Sequence, residues 1–196
     1  GAIPGLWPLR KGGIANDVVL RGLQSRDLNF TVDGDRVYGA CPNHMDPPPF
    51  HVDFSEVERV EVGKGPFDVR NHGSLGGTID VITRDPESGF HVTPTLSVGS
   101  FTYVNPSATA SWGGKRFSAL GGYSQRSARA DRDGDGLRFT ERANYRTDAI
   151  DAHAFDAATG WGRLEYKASA STTIQASYTR QEADAVFYPY LQMDAV

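Results

Sequence analysis

The sequence is poor in several features that would fix its class at once. It has 196 residues and one cysteine, Cys41, so no internal disulfide can form. A lone cysteine in an exported chain reads as a free thiol or as a ligand. No stretch approaches the roughly 18 consecutive apolar residues of a transmembrane helix. That absence leaves membrane strands open, because each needs only about 9–11 alternating residues. Twenty Lys and Arg against 24 Asp and Glu give a net charge of −4, and no basic run gathers locally. A nucleic-acid surface is therefore not expected. No GxSxG or HExxH occurs, and Cys41 has His44 three residues away but no third group to orient it. The chain is expected not to be an enzyme. Gly1-Ala2-Ile3-Pro4 has neither an initiator Met nor a signal-peptide pattern, and Met193-Asp194-Ala195-Val196 follows directly on an aromatic, strand-like run. Both ends read as cuts within a longer protein.

What is present points to strands and turns: 22 Gly, 11 Pro without collagen periodicity, and 11% aromatics. Composition shifts at Pro86-Glu87-Ser88-Gly89. Before it, short strand-like segments cover Asp17–Arg21, Asn29–Val32, Val57–Val62 and Thr78–Thr83. Asp33-Gly34 is a hairpin signal, and Val57-Glu58-Arg59-Val60-Glu61-Val62 alternates roughly, so one face is expected to be buried. Ser55-Glu56 and Phe67–Arg70 each suit one helical turn, the second started by Pro66. Residues 1–88 thus read as a small α+β domain with a mixed sheet.

From residue 89 the segments lengthen. Phe90–Ser100, Tyr103–Trp112, Arg116–Gln125, Trp161–Ala170 and Thr173–Glu182 are each about ten residues of period-two alternation. In the last, Ile174, Ala176 and Tyr178 oppose Gln175, Ser177 and Thr179. Gly113-Gly114-Lys115 and Ser171-Thr172 are tight links, and Arg126–Thr159 reads as a long polar loop. The pattern suits an outer-membrane barrel, and periodicity alone suits a soluble sandwich equally well.

The segment with chemical character is Cys41-Pro42-Asn43-His44-Met45-Asp46-Pro47. Pro42 suits the first position of a helical turn and Pro47 stops it, so one turn would set Cys41 and Met45 on one face. Thiolate and thioether are soft donors that together select Cu(I) over hard cations, and His44 adds a nitrogen. The plain alternative is packing: a small buried Cys41 and a gap-filling Met45. His51, His72, His91 and His153 read as isolated. Asp131-Arg132-Asp133-Gly134-Asp135-Gly136 imitates an EF-hand start but has Arg142 where the loop needs Glu, so a solvated loop is expected. Gly63-Lys64-Gly65-Pro66 lacks phosphate-loop spacing.

Four pieces in order carry a family likeness: Val19-Leu20-Arg21-Gly22-Leu23, Val32-Asp33-Gly34, Val57 to Pro66, and Gly73-Ser74-Leu75-Gly76-Gly77-Thr78-Ile79-Asp80-Val81-Ile82-Thr83. Together they resemble the plug domain of TonB-dependent outer-membrane receptors, over residues 14–84. The resemblance implies an α+β plug (residues 1–88) followed by the first antiparallel strands of a large, 22-stranded outer-membrane barrel (residues 89–196). Five strands cannot close such a barrel, so the chain is expected to be a fragment. Residues 41–48 look like the matching segment of the copper receptors within that family, which implies Cys41 and Met45 as plug ligands. That family adds a His-x-Met pair from the barrel. Here Leu191 stands two before Met193, so this pair is absent from residues 1–196. The implied partners are copper, outer-membrane lipid and the TonB energy-coupling complex, the last through a segment ahead of residue 1. The implied location is the bacterial outer membrane. Three other readings stand beside this one: a receptor for a siderophore or other metal chelate with Cys41 structural, a soluble β-rich extracellular binding protein, and a copper enzyme.

Overall fold

Short apolar runs separated by turn residues build the first unit, and long alternating runs build the second. The computed structural model describes residues 3–41, 45–66, 72–73, 75–142, 150 and 153–186. It divides into one unit of residues 1–52 and 57–84 and another of residues 53–56 and 85–196.

In the first unit, β1 (Leu6–Arg10), β2 (Asn16–Leu20) and β3 (Leu23–Gln24) form an antiparallel sheet. A second sheet contains β4 (Asn29–Val32), β5 (Asp35–Arg36), β6 (Val57–Lys64) and β7 (Gly77–Thr83), in the order β5-β4-β7-β6. The β4–β7 pair is parallel and its neighbours are antiparallel, so the sheet is mixed, as the sequence suggests. Asp33 and Gly34, with φ of 51° and 86°, make the two-residue hairpin turn expected between β4 and β5. The turn is tied down from β7, where Asp80 Oδ1 accepts from Thr31 Oγ1 at 2.7 Å and from Gly34 N–H at 3.2 Å. Leu20, Leu28, Phe30, Val52, Ile79 and Val81 form the core. Asn29, between Leu28 and Phe30, is fully buried as well.

β6 explains its own uneven alternation. Val57 pairs with Thr83 but Arg59 with Ile82, so a bulge falls at Glu58. One extra residue returns Val57 to the face shared by Val60 and Val62. The face is less buried than alternation implies: Val57 and Val62 only flank the core and Val60 is exposed, because β6 is the sheet edge. Arg59 bridges Glu61 at 2.9 Å and Glu58 at 3.2 Å on the solvated side. The expected turn over Phe67–Arg70 lies outside the described residues. A parallel pair requires a long crossover, and the one from β4 to β7 carries the Cys41–Met45 segment.

The second unit is a five-stranded antiparallel meander: β8 (Gly89–Gly99), β9 (Tyr103–Gly113), β10 (Phe117–Arg129), β11 (His153–Lys167) and β12 (Thr173–Val186). A single helical turn, α1 (Phe139–Arg142), lies in the connection from β10 to β11. That connection is shorter than the polar run suggests. Residues 126–129 and 153–159 are paired strand, with Ser127 opposite Asp156 and Ala128 opposite Phe155. Ala, Asp and Thr in this run offer little hydropathic contrast, yet ladder hydrogen bonds do not depend on it.

The two faces of this meander differ. Phe90, Val92, Leu96, Val98, Trp112, Phe117, Tyr123, Leu164, Ile174 and Tyr178 project from one face and are all exposed, Leu96 by 66% and Tyr178 by 70%. Phe90, Trp112, Phe117 and Tyr166 gather at one end of the strands, with the Phe117 and Tyr166 rings stacked at 4.6 Å. An apolar band edged by aromatics is the surface a strand presents to lipid. The opposite face is mixed: Ser111, Ser124 and Thr159 are buried on it together with Leu120, Phe155, Trp161 and Arg126.

Residues 53–56 belong to this unit as a turn rather than the helical turn expected at Ser55-Glu56. Asp53 and Glu56 form a reciprocal cap: Ser55 N–H donates to Asp53 Oδ1 at 2.8 Å and Asp53 N–H to Glu56 Oε1 at 3.1 Å. Asp53 Oδ2 accepts from Ser124 Oγ of β10, and Trp161 Nε1 of β11 donates to Ser55 Oγ at 3.0 Å.

Candidate metal site

The segment holding the soft donors is closed by one side chain. Asp46 reaches back along the chain, where its Oδ2 accepts from Ala40 N–H at 2.7 Å and its Oδ1 from Cys41 N–H at 2.8 Å. His51 Nε2 stands 3.3 Å from the same Oδ2. The backbone closes as well, since a Cβ on Gly39 would overlap the Asp46 carbonyl oxygen. Only glycine permits this approach. Pro47 leads into a short 3₁₀ turn over Pro48–His51, and Pro is suited to such a start because it has no N–H to leave unpaired. That turn fixes where His51 projects, and its ring meets the Phe50 ring edge-on at 5.4 Å.

Burial alone would raise the Asp46 carboxyl. The Ala40, Cys41 and Asp46 backbone N–H groups, with the His51 imidazole, outweigh it and hold the carboxyl below the ordinary aspartate range. Asp46 is thus an anion at neutral pH, acting as a clasp on the loop.

Cys41 and Met45 are both part-buried and lie inside this closed loop, one directly bonded to the clasp through its N–H and the other directly preceding it. Cys41 is a free thiol. His44, and the helical turn expected from Pro42, lie outside the described residues. Among the described residues no three of His, Cys, Asp and Glu gather as a metal-binding group. The soft donors among the described residues of the loop are the Cys41 thiol and the Met45 thioether. Beside the loop is a cavity of about 220 Å³ whose lining includes Leu28, Phe30, Arg36, Tyr38 and Asp46. The Arg36 guanidinium lies 4.9 Å over the Tyr38 ring.

Sequence reasoning missed Asp46 and treated His51 as isolated. A signal existed, since Asp five residues after Cys41 and directly before proline is a residue suited to closing a loop on its own backbone.

Comparison with known proteins bears first on residues 1–78. Residues 1–78 match the TonB-dependent receptor plug domain. The chain has the fold of a plug domain followed by antiparallel strands of a large barrel. It is 33% identical over 101 residues to the vitamin B12 transporter BtuB of Vibrio vulnificus, spanning 50% of this chain and 16% of that protein. Among solved structures, the copper transporter OprC superposes with a TM-score of 0.77 at 24% identity, over 92% of this chain and 26% of its own. The pyoverdine receptor FpvA of Pseudomonas aeruginosa PAO1 gives 0.70 at 20% identity, covering 92% and 24%. The iron transporter FrpB of Neisseria meningitidis gives 0.70 at 18%, covering 92% and 28%. These structures share the fold, and the chain spans about a quarter of each. The chain thus belongs to the bacterial outer membrane, and the apolar face of β8–β12 is of the kind that a barrel strand presents to lipid. A soluble sandwich is set aside.

Proposed function

We propose that this plug and its strands belong to an outer-membrane importer of copper, with Cys41 and Met45 as soft ligands and His44 as a further candidate. Copper is the cargo, and Cu(I) is favoured because a thiolate and a thioether stabilise the softer ion. Domain limits of 1–88 for the plug and 89–196 for the barrel strands go with this reading, as does a TonB-type partner that supplies the energy for release. The observation that carries it is the Asp46 clasp, which holds the backbone of Cys41 against the residue after Met45. A loop closed in this way holds its donors before the ion arrives, so less ordering entropy opposes binding. The likeness to a copper transporter supports the reading.

A second reading is a receptor for a metal chelate, with Cys41 packed rather than ligating. The likeness to pyoverdine and iron receptors favours it. Copper accumulation separates the two. Cells whose only copper receptor is the full-length protein should lose copper uptake with Cys41→Ser or Met45→Leu while keeping normal receptor levels. Unchanged uptake in both variants would leave the chelate reading in place.

A further inference from the structure

The strand unit holds a buried cation whose guanidinium edge has no hydrogen-bond partner among the described residues. Arg126 on β10 is only 5% exposed, and its Nε and Nη2 are buried without a hydrogen-bond partner. These two nitrogens form the side edge of the guanidinium, the edge that takes a carboxylate through two parallel hydrogen bonds. Ser124 and Ala128, two positions either side on the same face, and Ala157, paired with Arg126 on β11, carry no charge. Asp53, the carboxylate that does reach this face, is already engaged by Ser124 and Ser55. Asp156 lies on the other face, where it accepts from Gln125 Nε2 at 3.4 Å.

A second orphan stands opposite. The β9–β10 ladder pairs Ser124 with Ser107 and Ser127 with Val104 in one register, which sets Asn105 across from Arg126. Asn105 Oδ1 is also buried without a partner. Turned over, the same amide presents an N–H to the same place. Water could satisfy individual donors there but brings no charge of its own to the guanidinium edge. A metal cation would be repelled.

We propose that Arg126, with Asn105 beside it, is an anion site on this mixed face of the strands that takes a carboxylate or an oxoanion of similar geometry. The anion is either diffusible or a carboxylate of the receptor outside residues 1–196. The site does not depend on which cargo the plug carries.

The test uses the full-length receptor in detergent, as wild type, Arg126→Met and Arg126→Lys, with inorganic selenate as the probe. For a diffusible anion, selenate raises the wild-type Tm with concentration and leaves Arg126→Met unchanged. Selenate-soaked wild-type crystals then show an anomalous peak within hydrogen-bond distance of Nε and Nη2. For a receptor carboxylate, selenate changes nothing, Arg126→Met lowers Tm by stranding the partner, and the wild-type density shows that carboxylate on both nitrogens. Should Arg126→Met fail to assemble, Arg126→Lys keeps the charge without the fork, and the wild-type crystal decides. The proposal is overturned if selenate leaves the wild-type Tm unchanged and Arg126→Met is as stable as wild type or more so, or if only water and neutral oxygens meet the guanidinium edge with selenate present.

Discussion

Removing the Asp46 carboxylate should weaken copper binding although Asp46 is not itself proposed as a ligand. Two backbone N–H groups at 2.7 and 2.8 Å converge on it. Hydrogen bonds to a charged group contribute about 1.5–3 kcal/mol each. The side chain is 20% exposed, so the lower end applies and the pair contributes about 3 kcal/mol. Ala40 is exposed and its N–H can turn to water, which returns part of this and leaves about 2 kcal/mol. At about 1.4 kcal/mol per tenfold change, Asp46→Ala should weaken Cu(I) affinity roughly 30-fold. Asp46→Asn, with one neutral acceptor left, should cost about half that free energy, or roughly fivefold. The assay is anaerobic competition for Cu(I) against a chromophoric chelator, using the full-length receptor. Normal heat-modifiable migration in gels would show that the barrel is intact. Wild-type affinity in Asp46→Ala, alongside loss of binding in Cys41→Ser, would refute the idea that the clasp organises the site.

Three further outcomes follow from the same contacts. The folded Asp46 carboxyl lies below its unfolded value, so its stabilisation is present above the ordinary aspartate range near pH 4 and is lost as pH falls through the folded value. Protection factors of the Ala40 and Cys41 amides should therefore hold from pH 7 to about 5 and collapse below about 4, whereas flat protection would contradict the clasp. Gly39→Ala should open the loop, because the new methyl overlaps the Asp46 carbonyl, at a cost of about 1–3 kcal/mol read as lost amide protection. Leu96→Arg should destabilise the barrel by about 2–4 kcal/mol in bilayers, the penalty for a basic residue near the midplane of a lipid face. No effect would argue that this exposed face does not meet lipid.

The strands were legible because their signals are local. Asp33-Gly34 dictates a two-residue turn whatever surrounds it, and Ile174–Tyr178 alternates cleanly because Ile174 and Tyr178 share the apolar face of the meander. β1 escaped because Leu6–Arg10 contains Pro8 and exposes most of its residues, so neither propensity nor alternation marks it. The first half of β11 escaped because Ala, Asp and Thr give no hydropathic contrast. The Glu58 bulge was written into Val57–Val62 as a doubled polar step, but a single strand cannot show which residue is the extra one without its partner β7. Residue type alone singled out Cys41 and Met45 as candidates. The clasp depends on a close approach across the loop between Gly39 and Asp46, and that is a tertiary fact. Arg126 was hidden for a similar reason, since in sequence it opened what read as a solvated polar loop.

The most direct test of the proposed copper site is copper-edge anomalous scattering from crystals of the full-length protein loaded with Cu(I), in wild type and in Cys41→Ser. A peak bonded to Cys41 Sγ and Met45 Sδ that disappears in the variant is the result expected, and it would also locate any ligands outside residues 1–196. Copper bound elsewhere, or a peak at the loop that survives the loss of Cys41, would contradict the assignment and favour a chelate receptor.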